Sequence, residues 1–525
     1  MWWRSESPQA EILHVVVDDV GLNDLWESED LPWEIVTPTI GGLATRGVRL
    51  ENYYGQSYCT PARVAMLTGM WTHRVGFAVP PTFQYGNVEV VVDSNYSIPV
   101  SGEYQLLPQH LKTLGYATHG IGKWNVGHCN SAYLPWNRGF DTFLGYFGDG
   151  IYYRSHLADQ QTSIVLGDQN VTIVDFVEYE SAENFRWDNG IRAYNGTHTT
   201  IAFSRAARKI LSASTDLARY VWLAYHGMHD NYEPTSGLSY NETLWAELEA
   251  TFGYTPRRKA FGVGLQAIDS EIRSLVDVLE AGARDYVVVF HSDNGAAPCA
   301  QHVVGNNMPA RGSKFSDFEG GLRVPAFAYS NLLKRRGAVY SSLMHHVDWM
   351  ATLVSIAGGN PTELLGFGYD SLDHWDNIRQ GLNKTVRDAA YFSITETTFS
   401  LRRGNWKLIH GYENSSWYPV STEVNQQQDC YFGSRPMNFL FDLANDPFER
   451  HNLYHDEAHR RVKEGLIALG KGKYANESVS FSKGRLFTDA DNYDASSPIA
   501  RAWLNSAPGS KYKVVTPWQC DTITL

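Results

Sequence analysis

The chain has 525 residues, 43% hydrophobic and 19% charged, a globular composition with room for one large core and a smaller second one. Its net charge of −13 excludes a general nucleic-acid binder, although a local anion site can still be basic. No run approaches the length of about 18 apolar residues that a transmembrane helix needs, so no membrane span is expected.

The start, "MWWRSESPQAE", has no apolar leader core and runs within a dozen residues into a strand, so an export signal is expected to have been trimmed or to lie upstream. "EILHVVV" (11–17) predicts a strand buried on both faces. "TPTIGGLATRG" (37–47) predicts a helix with Pro38 in its first turn, and "YCTPARVAMLTG" (58–69) a second helix with Cys59 at its mouth, Pro61 in its first turn and Arg63 beyond. "YATHGIGKWNVG" (116–127) is strand-like and carries Lys123. The polar stretch 151–200 reads as a surface excursion. "YVWLAY" (220–225) and "YVVVFH" (286–291) are further buried strands, and between them "AFGVGLQAIDSEIRSLVDVLEAG" (260–282) is a helix with Gly282 as its C-cap. "RGSKFSDFEGGLRVP" (311–325) is a glycine-rich loop with Lys314. After about residue 385 the texture changes to hairpin-like strands, "TFSLRRGNWKLIHG" (398–411) and "NFLFDL" (438–443), and a helical "DEAHRRVKEGLIALG" (456–470). The fold class is therefore α/β: a large layered domain over 1–385 with a mostly parallel central sheet between helices, then a smaller α+β domain over 386–525 with an antiparallel sheet.

Seven Asn-x-Ser/Thr sequons, at Asn95, Asn170, Asn195, Asn241, Asn383, Asn414 and Asn476, point to passage through the secretory pathway and a lysosomal or extracellular destination. Of five cysteines, Cys129, Cys299, Cys430 and Cys520 could form two disulfides, leaving Cys59 unpaired.

In open α/β sheets ligands bind where strand carboxyl ends empty into a crevice. The first strand ends in Asp18 and Asp19, and the strand at 286–291 leads to Asp293 and Asn294. Three carboxylates and an amide oxygen at one edge suit a hard divalent cation, Ca²⁺ before the more exacting Mg²⁺; the bland alternative is that each pair caps the following turn. Lys123, Lys314, Arg63, His226 and His229 are individually ordinary surface or structural residues, but together they would make a cationic ring suited to a tetrahedral oxyanion. At a helix mouth the Cys59 thiol is expected to be acidified and anions attracted. A plain cysteine nucleophile would want a histidine base beside it, and a thiolate suits soft metals, so the setting favours a cysteine that does not remain one.

"CTPAR" followed by "MLTG" resembles the sulfatase signature, in which the cysteine of C-x-P-x-R is oxidised to formylglycine during secretion. "VVVDDVG", "GKWNVG", "HSDNG", "KFSDFEGGLRVP", "GNWKLIHG" and "LFDLANDPFERHNL" resemble further sulfatase blocks in the expected order, across nearly the whole chain. Within that family, "LPWNRGFDTFLGYFGDGIYY" (134–153) is most similar to the arylsulfatase B group, which includes N-acetylgalactosamine-4-sulfatase. The resemblance implies an alkaline-phosphatase-like large domain and a sulfuric ester hydrolase acting on an aryl sulfate or a sulfated sugar. It also implies a formylglycine-generating enzyme as maturation partner.

Residue by residue, the resemblance implies that Asp18, Asp19, Asp293 and Asn294 hold the metal together with the hydrated aldehyde at position 59. One hydroxyl of the hydrate would attack sulfur as the alcohol departs, and the other would later expel sulfate. Arg63 would favour the ionised hydroxyl, Lys123 and Lys314 would grip the sulfate oxygens, and His229, rather than His226, would assist the leaving group. One position departs from the pattern: the block usually reads G-K-W-H, and here Asn125 stands in the histidine's place. An amide cannot take a proton at neutral pH, so slowed turnover is expected, with His128 as a substitute three residues on. Two alternatives stay open: a catalytically impaired relative that binds sulfated glycans, and a phosphate or phosphonate ester hydrolase of the same superfamily.

Overall fold

The computed structural model describes residues 9–25, 37–75, 105–128, 131–157, 163–166, 169–183, 185, 189–229, 237–253, 255–298, 305–412, 415–418, 437–477 and 512–514. In chain order its main elements are β1 (Glu11–Val17), α1 (Pro38–Arg46), β2 (Val48–Leu50), α2 (Cys59–Thr68), β3 (Ala117–Lys123), β4 (Thr142–Tyr146), β5 (Val177–Tyr179), α3 (Thr199–Ser212), β6 (Arg219–Ala224), α4 (Pro256–Ala281) and β7 (Tyr286–Ser292). They continue with α5 (Glu319–Leu322), β8 (Ala326–Ser330), β9 (Ala338–Tyr340), β10 (Ala389–Ile394), β11 (Phe399–Arg403), β12 (Trp406–Tyr412), β13 (Met437–Asp442) and α6 (Arg460–Glu477).

Nine strands form one sheet in the order β9-β2-β8-β7-β1-β6-β3-β4-β5. Its centre, β7-β1-β6-β3-β4, is all parallel, while β8 and β5 join antiparallel on either side. The unbroken Val and Ile runs of β1 and β7 follow from burial on both faces. Ile12 and Val16 of β1 face one apolar layer with Met66 and Leu67 of α2, while Leu13, Val15 and Val17 face another with Leu265, Ile268, Ile272 and Leu275 of α4. Each such side chain stabilises the fold by about 1.5–3 kcal/mol on burial.

The helix α4 starts earlier than its apolar pattern, at Pro256, where the Thr255 side chain accepts the Arg258 N–H as a cap. It ends at Ala281, but Gly282 is extended (φ −73°, ψ 162°) rather than the left-handed cap expected. The stretch 151–200 is not only a surface excursion. Val177–Tyr179 adds the edge strand β5, and Ile151, Tyr153, Val174 and Phe176 are buried core residues, a contribution masked by the polar residues around them. The cysteines expected to pair, Cys129, Cys299, Cys430 and Cys520, lie outside the described residues, as do Asn95 and Asn414. Asn195, Asn241, Asn383 and Asn476 are all exposed.

A separate antiparallel sheet, β10-β11-β12-β13, is covered by α6, whose Leu466 packs into its apolar cluster. The two-residue turn Gly404–Asn405 joins β11 to β12, with the positive φ of 56° at Gly404 that a tight hairpin needs.

Candidate active site

Strand register builds the site. Across the parallel core Val17 pairs with Ser292, Val16 with Ala224, Gly122 with Ala224, and Lys123 with Tyr146, so five strands end level at one edge. The residues that follow are delivered side by side: Asp293 after β7, Asp18 after β1, His229 after β6, Lys123 at the end of β3 and Asp149 after β4. The Lys314 loop reaches the same edge because glycine backbones touch: Gly295 N–H donates to the Gly321 carbonyl, and a Cβ on Gly295 would run into the Gly320 carbonyl.

Helix α2 brings Cys59 and Arg63. The Cys59 Sγ lies 3.4 Å from Asp18 Oδ1. Arg63 Nη2 pairs with Asp293 Oδ2 at 2.7 Å and with Asp18 Oδ2 at 3.5 Å, and its Nη1 donates to the Lys123 carbonyl at 3.2 Å. Lys123 Nζ is 2.9 Å from Asp18 Oδ2, and Lys314 Nζ is 2.8 Å from Asp19 Oδ2. The expected cationic ring is therefore not free, because each cation is paired with a carboxylate of the strand ends. Ligand atoms of Asp18, Asp19, Cys59 and Asp293 lie within 4.8 Å of one another, as do those of Asp18, Cys59 and His229.

The electrostatics of this cluster call for a cation. Burial would raise the Asp18 carboxyl, but Lys123, His229 and Arg63 outweigh it and hold it well below the usual range. Asp293 goes the other way, pushed to about 7 by burial and by the Asp18 charge against the pull of Arg63. Asn294 donates its Nδ2 to Asp19 Oδ1 at 2.7 Å, while its fully buried Oδ1 has no hydrogen-bond partner among the described residues. An orphaned amide oxygen beside three crowded carboxylates is an all-oxygen donor set, which fits a hard divalent cation. The left-handed backbone of Asp19 (φ 57°) and Asn125 (φ 50°) is carried by the two residue types, Asp and Asn, that tolerate it best.

Cys59 departs from its expected acidity. Burial and the adjacent Asp18 charge push its thiol well up, outweighing the helix mouth and the lysines. An unmodified thiol here is protonated and a poor nucleophile. Asn125 is within hydrogen-bonding reach of the same helix turn, accepting from Thr60 Oγ1 at 2.9 Å. His128 instead stacks on Phe147, with ring centroids 5.8 Å apart, and burial presses its pKa to about 4. His226 packs between the rings of Tyr146 and Tyr153 at 5.3 and 4.5 Å, and His229 is the histidine that reaches Cys59. Its pKa is lowered by burial and by Lys123 and Lys314, and its Nδ1 has no partner among the described residues.

Two groups were not singled out by sequence reasoning. Asp149 sits 3.3 Å from Lys123 Nζ, in a "GDG" turn that offered no signal apart from its place after a strand. Arg311 anchors the Lys314 loop: its guanidinium lies over Phe318, Trp417, Phe439 and Phe441 and donates to the carbonyls of Ser415 and Glu449. Behind it, Lys407 of β12 bridges Glu319 and Glu449 at 2.9 and 2.8 Å. The four-stranded sheet thus braces the loop that carries Lys314.

Comparison with known proteins gives the same family from outside. The sulfatase family profile matches residues 10–359. Arylsulfatase J of Mus musculus is 29% identical over 476 residues, covering 85% of this chain and 73% of the relative. Arylsulfatase A of Bos taurus is 28% identical over 87% of this chain and 86% of its own. N-acetylgalactosamine-6-sulfatase of Sus scrofa is 26% identical over 85% and 82%. These relatives do not confirm the narrower grouping with the 4-sulfatases. Among solved structures, the PsFucS1 sulfatase from Pseudoalteromonas sp. shares the fold with a TM-score of 0.65 at 19% identity, covering 90% of this chain and 92% of that one. The chain belongs to the sulfatase family and is a sulfuric ester hydrolase.

Proposed function

We propose that this chain hydrolyses the sulfate ester of a sulfated sugar, and of aryl sulfates in the test tube, through an aldehyde hydrate made from Cys59. The observation that carries this reading is the convergence of Cys59, three carboxylates, Asn294 and three paired cations within one buried cluster at the strand ends. Asp18, Asp19, Asp293 and Asn294 would hold the divalent cation with position 59. Bound there, such a cation supplies positive charge that favours an ionised hydroxyl beside it.

The chain's own residues do the rest. Arg63, fixed between Asp293 and the Lys123 carbonyl, keeps positive charge beside position 59. Lys123 and Lys314 each carry three donors, of which the carboxylates use only some, so both can turn an N–H toward a sulfate oxygen and offset charge that grows in the transition state. With its pKa lowered, the neutral His229 ring offers an N–H to the departing alcohol oxygen. The second step, expulsion of sulfate, wants a base, and Asn125 stands where the family pattern has histidine. We therefore also propose slow turnover, along with a large unit over 1–385 and a smaller one over 386–525. The exposed sequon asparagines support glycosylation in the secretory pathway, where a formylglycine-generating enzyme would act on Cys59.

The test is expression behind a signal peptide in cells that make the formylglycine-generating enzyme, followed by hydrolysis of 4-nitrophenyl sulfate with Cys59→Ala as control. Turnover that vanishes in the control supports the reading. Absence of turnover, with a mass spectrum showing the aldehyde at position 59, would favour the glycan-binding relative that Asn125 suggests.

A further inference from the structure

One carboxylate in the site belongs to neither candidate ligand group. The Asp149 carboxylate lies between the two residues proposed to meet the sulfate and the leaving group, with Oδ1 3.3 Å from Lys123 Nζ and Oδ2 3.9 Å from His229 Nε2. Its side chain is 21% exposed, whereas those of Asp18 and Asp19 are at most 1% exposed. The loop is held in place from behind: Asp175, itself buried, accepts the backbone N–H of Phe147 at 2.9 Å and of Gly148 at 2.7 Å. Burial would neutralise Asp149, but Lys123, His229 and Lys314 outweigh it and keep it ionised. A fixed negative charge at the mouth of an anion pocket opposes binding, so it needs a compensating use.

Resting on the reading of this pocket as a sulfate-ester site, we propose that Asp149 selects by charge, admitting the singly charged sulfate ester and rejecting doubly charged anions. Sulfate and phosphate esters share tetrahedral shape, and donors such as Lys123 cannot tell them apart by geometry. They differ by one charge, because a phosphate monoester loses its second proton near pH 6. An additional elementary charge about 6 Å from Asp149, at an effective dielectric constant of about 20, corresponds to roughly hundredfold discrimination. The same repulsion acts on the product. Hydrolysis converts a monoanionic ester and water into an alcohol, a proton and the sulfate dianion, so Asp149 accepts the substrate and weakens the hold on what it becomes.

The experiment compares wild type with Asp149→Asn, which removes the charge at constant size, and Asp149→Glu, which retains it. Calorimetry at pH 8 measures binding of methyl sulfate, methyl phosphate and inorganic sulfate, and kinetics measures kcat/KM for 4-nitrophenyl sulfate and 4-nitrophenyl phosphate. The expectation is that Asp149→Asn tightens methyl phosphate and inorganic sulfate tenfold to a hundredfold relative to methyl sulfate, that Asp149→Glu does so far less, and that product inhibition strengthens. Inorganic sulfate separates charge from element, since it should follow the phosphate ester. An unchanged ratio in Asp149→Asn overturns the proposal. A fall in kcat for both esters with no change in binding ratio would do so too, marking a residue that only positions His229. The binding arm needs no turnover, so failure of the sulfatase reading, seen as wild type inactive on sulfate, is recorded separately.

Discussion

Two clusters of buried charge draw on the Lys314 loop, one through Lys314 and the other through Glu319, and they are built on different principles. At the strand ends, Asp18, Asp19, Asp293 and Asp149 meet Arg63, Lys123 and Lys314, leaving Asn294 Oδ1 unpartnered and Asp293 pushed to about 7. Against the small sheet, Glu319 and Glu449 are bridged by Lys407, while Tyr54 donates to Glu319 and receives the Arg402 guanidinium. The first cluster has more carboxylates than cations, an excess that suits a bound cation. The second balances two carboxylates, Glu319 and Glu449, with two cations, Lys407 and Arg402, and ties the Lys314 loop to the small sheet. Burial of charge by itself therefore does not mark a site; an excess of one sign does.

Substitution should separate the two clusters. Cys59→Ala removes the nucleophile's precursor and is expected to lower sulfate hydrolysis by about 10⁴-fold or more, the scale of losing a nucleophile. Its melting temperature should stay near wild type, because the side chain contributes one weak contact to Asp18. Lys407→Met should do the reverse, leaving Glu319 and Glu449 buried without their shared cation at a cost of about 3–5 kcal/mol. Urea unfolding followed by circular dichroism would measure it, and a Lys407→Met protein as stable as wild type would break the distinction.

The first cluster was largely legible in the sequence and the second was not, for a physical reason. Strand-end chemistry follows from local pattern: "EILHVVV" must be a strand, so Asp18 and Asp19 must sit at its end, and the parallel rule puts Asp293 beside them. Lys407 bonding Glu319 spans 88 residues, and nothing near either residue announces the other. Asp149 was missed because a carboxylate in a glycine turn is usually a turn former. The depressed thiol expected at a helix mouth failed because burial, which the local pattern does not report, raises it most, and the Asp18 charge adds to that.

Asn125 tests how the reactive cluster tolerates a missing base. Its left-handed backbone (φ 50°) is open to histidine as well, so Asn125→His should fold without added strain. If the second step limits turnover, a base beside Thr60 is expected to raise kcat by about tenfold to a hundredfold, within the usual reach of general-base assistance. Pre-steady-state kinetics should then show the initial burst of alcohol shrinking relative to the steady rate. Equal kcat in both proteins would mean that another group already serves.

The smallest effect concerns a third buried polar group, which includes His14 of β1 and His291 of β7. His14 Nε2 and His291 Nε2 lie 2.8 Å apart, and because His291 Nδ1 faces the Ser292 carbonyl at 2.9 Å and must donate to it, His291 Nε2 accepts from His14 and cannot take a second proton without breaking the pair. His346 Nε2 approaches the Ser292 carbonyl at 3.2 Å, and His345 Nε2 the Gly55 carbonyl at 3.0 Å. Burial lowers all four pKa values, those of His291 and His345 to about 3. A histidine with a depressed folded pKa gives stability that is complete above its unfolded value near 6.5 and is lost as pH falls below it, because the unfolded chain then binds more protons. Asp175, pushed to about 6 by burial, and Asp293 and Glu449, each pushed to about 7 by burial and by a neighbouring carboxylate, act in the opposite sense but are fewer than these four histidines. The net expectation is a chain that loses stability between pH 7 and pH 5. His14→Gln should flatten that loss by about 1.4 kcal/mol per pH unit, the share of one proton. Urea midpoints at the two pH values decide it: equal wild-type stability at both would mean that the carboxylates offset the histidines and that the fold suits an acidic compartment, whereas a steep loss fits work at neutral pH.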